Sequence, residues 1–146
     1  MSKAFDHSDF APEPQAPFWK PFFFALLFAI PASLLWFYLA VHQGLRMPVF
    51  SLAVGFMCGW GARKGDGDYF PAFLGTLIHI VVTVLVITLV LMSGQLGLSP
   101  LETVLQILFQ GQFTAFSNVC VLVVGSRSFA AIPIAFYVAY KIQSRD

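Results

Sequence analysis

The sequence predicts an all-α integral membrane bundle of four transmembrane helices plus one amphipathic or re-entrant segment. Three observations predict it. Apolar runs cover residues 21–41, 47–62 and 71–92, and a weaker one at 129–142 makes a fourth span of about 126–142. Crossing a hydrocarbon core about 30 Å thick takes about 20 apolar helical residues. Hydrophobic residues make up 58% of the chain and charged residues 10%, too few charges to coat a water-soluble globule.

The chain of 146 residues has one domain, residues 18–146, behind a polar, Pro-rich tail at 1–17. The tail carries Asp6, Asp9 and Glu13 against Lys3 and reads as disordered and cytoplasmic. It lacks the basic start, early apolar stretch and small-residue cleavage site of a secretory signal, so the first span is expected to be retained. A net charge of +1 offers no basic stripe for nucleic acid. Two cysteines, Cys58 and Cys120, are too few for a disulfide framework or a four-cysteine metal site. Both read as small buried hydrophobes.

Phe18, Trp19 and Lys20 open the first span with the aromatic and cationic pairing of a lipid–water boundary. Pro21 fits a first helical turn, and Pro31 is expected to kink the helix at mid-span. A short turn through Arg46 makes spans one and two an antiparallel hairpin. The second span is short, about 24 Å, and crosses if Arg46 and Arg63 snorkel to opposite surfaces. The following Gly65-Asp66-Gly67-Asp68 alternates acids like the start of a calcium loop but lacks the rest of that motif. Turn chemistry accounts for it.

The third run is the cleanest span. Its β-branched residues are no obstacle in lipid, where the backbone must bond within itself. Ser99, Pro100 and Glu102 then give a helix start: N-cap, first-turn proline and capping-box acid. Leu101, Val104, Leu105, Leu108 and Phe109 share one face and Glu102, Thr103, Gln106 and Gln110 the other. An amphipathic helix at 100–111 is expected to lie along the membrane surface or cap the bundle. Residues 113–124 are too few to cross and are expected to re-enter or insert partly.

With four spans, Lys3, Lys20, Arg63, Lys64, Lys141 and Arg145 lie on one side and Arg46 and Arg127 on the other. This positive-inside bias places both termini in the cytoplasm.

Ser51, Gly55 and Gly59 recur every four residues, a small-residue stripe that lets helices approach closely. It is expected to pack against the first or third helix, or to form a contact with a second copy or another subunit. His79 lies about 12 Å into the third span, where an ionisable group is a functional hypothesis by default. No Asp or Glu lies within a span to share a proton, and His42 and His7 do not match it in depth for haem. The remaining reading is a neutral ring bonded to Thr76, Thr83 or a facing carbonyl. Arg127 is expected to snorkel or to pair with Glu102. Gln110, Gln112 and Asn118 are candidates for a polar cavity or for helix caps. No nucleophile has an acid–base pair beside it, so no catalytic residue, cofactor or metal is assigned.

Residues 48–64, PVFSLAVGFMCGWGARK, pair glycines four apart with a basic end and a Gly-rich turn. With residues 129–142, FAAIPIAFYVAYKI, this resembles small uncharacterised bacterial inner-membrane proteins with four helices. The resemblance implies an architecture and a bacterial inner membrane, not a chemistry. The expected function is that of a non-enzymatic accessory or assembly subunit. Its partners would be the bilayer and either a second copy or a larger membrane complex. The alternative is a small oligomeric channel or transporter with a path lined by His79, Gln110, Asn118 and Arg127.

Overall fold

The computed structural model describes residues 17–44, 49–124 and 130–144. Residues 1–16 of the expected tail, Arg46 and Arg127 fall outside them. The described residues form helices α1 (Trp19–His42), α2 (Phe50–Lys64), α3 (Tyr69–Leu96), α4 (Pro100–Gln110), α5 (Phe113–Val124) and α6 (Ala131–Gln143), with no strand among them. Two helices, α1 and α3, are long and apolar enough to cross a membrane. α2 and α6, with 15 and 13 residues, fall short of that length, so among the described residues two of the four expected spans meet it.

α1 continues through Pro31 as one helix of 24 residues. α3 has 28 residues, about 42 Å, and outruns its expected span at both ends. Gly97, in the left-handed conformation at φ 67°, ends it because glycine carries no Cβ to clash there.

The core is a four-helix unit of α1, α2, α3 and α6. α2 and α3 form its centre, with α1 and α6 each packed against both. Named contacts fix the directions. Gly61 of α2 meets Phe24 and Ala25 of α1, and Phe28 stacks edge-on against Trp60, so α1 and α2 are antiparallel. Gly75 lets α3 approach Ala25 of α1 and Cys58 of α2 together. α1 and α3 run parallel.

α6 returns along α3, with Tyr69 against Tyr140 and Phe73 against Phe136, ring centroids 5.2 and 4.7 Å apart. Farther along α3, Thr88 meets Cys120 of α5 at 3.4 Å. From Phe73 to Thr88 α3 advances fifteen residues while the returning chain steps back sixteen, from Phe136 to Cys120. α5 and α6 thus follow α3 in a single antiparallel register. Residues 113–124, expected to re-enter or insert partly, form helix α5 packed on α3. Periodicity within twelve residues holds no information about such a register.

The start of α1, the end of α2, the start of α3 and the end of α6 meet at one end of the bundle. Lys20, Arg63, Lys64 and Lys141 gather there, with an aromatic group of Phe18, Trp19, Phe22 and Phe70. The turn after α2 is fastened from both sides. Gly65 and Gly67 lie against Pro21, Lys20 Nζ bonds Asp66 at 2.9 Å, and Gln143 Nε2 donates to the Gly67 carbonyl at 2.7 Å.

Candidate functional site

Ser51, Gly55 and Gly59 face α6, rather than the first or third helix. A Cβ at Gly55 would overlap the backbone carbonyl of Ala135, and one at Gly59 that of Ala139. Ser51 Oγ donates to the Ala131 carbonyl at 3.5 Å, a weak bond. The complement is a second stripe, Ala131, Ala135 and Ala139, with the same four-residue spacing. Two small-residue faces in register let the parallel helices touch backbone to backbone. All three residues of the α2 stripe are buried within one chain, so this face is not open to a second copy.

His79 sits half-buried between α3 and α1. Its Nε2 lies 2.9 Å from the Leu26 carbonyl and its Nδ1 2.8 Å from Ser33 Oγ. A carbonyl only accepts, so Nε2 carries the hydrogen; in the neutral ring Nδ1 accepts from the Ser33 hydroxyl. Leu26 and Ser33 lie two turns apart on one face of α1, on either side of Pro31. The expected facing carbonyl is present, but Thr76 and Thr83 are not partners. Thr76 Oγ1 donates instead to Ala72 in its own helix at 2.8 Å, as Thr88 does to Val84. Apolar grooves lie on both sides of the ring, one lined by Phe23, Leu26 and Ile78 and the other by Leu34, Phe37 and Val86.

Gln110 and Asn118 are exposed on α4 and α5, and neither lines the grooves beside His79. Among the described residues, His79 is therefore not brought together with Gln110 or Asn118. Arg127 is outside the described residues. Glu102 is engaged locally, its carboxylate accepting from the Ser99 backbone N–H and hydroxyl, both at 2.8 Å. These bonds hold its carboxyl below the usual carboxylate range. Among the described residues no three His, Cys, Asp or Glu side chains gather as metal ligands. Trp36 Nε1 is buried with no partner among the described residues, and nothing in the structure explains it.

α4 turns its apolar stripe outward. Thr103, assigned to the polar side, is fully buried, together with Ile107. Leu101, Leu105 and Leu108 are exposed, and Phe109 is 83% exposed. α5 packs on α3 and touches α4 more lightly. Val123 is buried and Phe116, Val119 and Cys120 are half-buried, while Thr114, Ser117, Asn118 and Val121 are exposed. At 100° per residue those four share one face, opposite Val123. Asn118, a candidate for a polar cavity, is exposed on this face, a direction that depends on how α5 meets α3.

No protein family, no curated relative and no solved structure matches this chain.

Proposed function

We infer that this chain is a multi-pass protein of a bacterial inner membrane that works without catalysis, as an accessory or assembly subunit. In this reading α1, α2, α3 and the α5–α6 run cross the bilayer. The shared end bearing Lys20, Arg63, Lys64 and Lys141 lies in the cytoplasm, with both termini. The short α2 is accommodated by local thinning and by its terminal cations reaching for the surface. Buried hydroxyls satisfied within their own helices, and a histidine engaged at both nitrogens, favour a packed bundle over a lined path.

The observation that carries the association reading is the α4–α5 unit. It attaches to the core through α3 and turns outward both an apolar stripe and a polar one, the latter formed by Thr114, Ser117 and Asn118. Ser, Thr and Asn on an outward helix face bond well to another helix and poorly to lipid tails. The test is the mass of the tagged protein purified in mild detergent, with its companions identified by mass spectrometry. A stoichiometric companion or a defined homo-oligomer supports the reading, and a bare monomer overturns it.

A further inference from the structure

We propose that Arg63, Lys64 and Trp60 form a site for the phosphate of an anionic phospholipid headgroup. The proposal rests on the membrane reading above and adds a ligand to it. The three residues and Asp66 line a polar recess at the end of α2. Arg63 and Lys64 are exposed, and no carboxylate among the described residues is within ion-pair distance of either. Asp66 would oppose an anion, but Lys20 neutralises it at 2.9 Å and leaves the two α2 cations in excess. Part of their charge offsets the negative end of the α2 dipole, a fractional charge that two full cations outweigh.

The recess is held in shape before any ligand arrives. Asp66 adopts a left-handed conformation, φ 58°, and its N–H bonds the Arg63 carbonyl at 3.0 Å. Gly65 and Gly67 lock the turn on Pro21, and Gln143 ties it to α6. Trp60 packs edge-on against Phe28, with centroids 5.2 Å apart, and remains partly exposed. An indole fixed there lies beside acyl chains, while an Arg fork and a Lys ammonium offer hydrogen bonds and charge to a phosphate. The chemistry selects a phosphodiester carrying net negative charge, such as phosphatidylglycerol, over a zwitterion whose choline repels the same cations.

The test uses the full chain reconstituted in vesicles of equal parts phosphatidylglycerol and phosphatidylcholine, then extracted with bound lipid counted by native mass spectrometry. Phosphatidylglycerol should be enriched, and Arg63→Gln and Lys64→Gln should each lower the enrichment on the order of fivefold. Lys141→Gln, at the same end but outside the recess, should leave it unchanged. Equal retention of both lipids, or full enrichment in the Arg63→Gln/Lys64→Gln double variant, overturns the proposal. Loss of the enrichment in millimolar inorganic phosphate would assign the recess to free phosphate and overturn the lipid assignment. Resistance of each variant to alkaline extraction is measured in parallel. Failure there would count against the membrane reading itself, whereas intact integration with no lipid preference counts against this site alone.

Discussion

His79 and Ser33 join α3 to α1 through a 2.8 Å hydrogen bond, beyond Pro31 from the ring's other partner, the Leu26 carbonyl. Proline removes one backbone hydrogen bond from α1, and the imidazole braces that helix on both sides of the gap. Ser33→Ala and His79→Leu should each destabilise the protein by about 1 kcal/mol, with a coupling of about 0.5–1.5 kcal/mol between them. Thermal unfolding of the two single variants and the double variant in detergent measures it. Strict additivity would mean that the bond does not brace α1.

The α2–α6 contact leaves no room for side chains. Gly55→Leu and Gly59→Leu should each cost more than about 2 kcal/mol or stop the protein accumulating, because the obstacle is backbone. Gly94→Ala is the control. Nothing lies near its Cβ position in α3, so the change should be neutral or stabilise by up to about 1 kcal/mol. Melting temperatures of the three variants decide it.

Glu102 closes the capping box of α4. Its carboxyl is held below the ordinary range by the Ser99 N–H and hydroxyl, so ionised Glu102 favours the folded helix. The contribution is present above the unfolded carboxylate value of about 4.3 and is lost as pH falls through the lower folded value. Protection factors at the Glu102 and Thr103 amides, with the intrinsic exchange at each pH divided out, should therefore fall on acidification below about pH 4. Ser99→Ala should give the same fraying at neutral pH. Unchanged protection in both cases would contradict the cap.

The outward face of α5 separates folding from association. Ser117→Leu and Asn118→Leu should shift stability by less than about 0.5 kcal/mol, since both side chains are exposed. They should nevertheless weaken any oligomer or companion complex, read as loss of cross-linked species in membranes. Cross-linking equal to that of the parent protein would place the association surface elsewhere.

How much of this was legible in the sequence differs by element. α1 and α3 followed from hydropathy, which needs no tertiary information. The start of α4 followed from Ser99, Pro100 and Glu102, whose cap is local. Which of its side chains meet the bundle did not, because amphipathicity separates an apolar from a polar side without saying which of them meets protein and which meets lipid. The α2 stripe was visible, and its partner was visible in principle as Ala131, Ala135 and Ala139, an equal spacing of small residues later in the chain. Pairing the two required the parallel arrangement of α2 and α6. The His79–Ser33 bond required the α1–α3 register, which no local pattern encodes. The α5–α6 register was illegible for the same reason: two short apolar runs give no sign that they follow one neighbouring helix.

That register brings the end of α6 back to the end of the bundle where α1 begins, with Gln143 bonded to Gly67 and Tyr140 against Tyr69. The most direct measurement is a dual topology reporter, green fluorescent protein or alkaline phosphatase, fused after Asp146 in a bacterial host. The account requires fluorescence without phosphatase activity, which places the C-terminus with Arg63 and Lys64 in the cytoplasm. Phosphatase activity without fluorescence would put the end of α6 across the membrane and contradict the four-crossing arrangement.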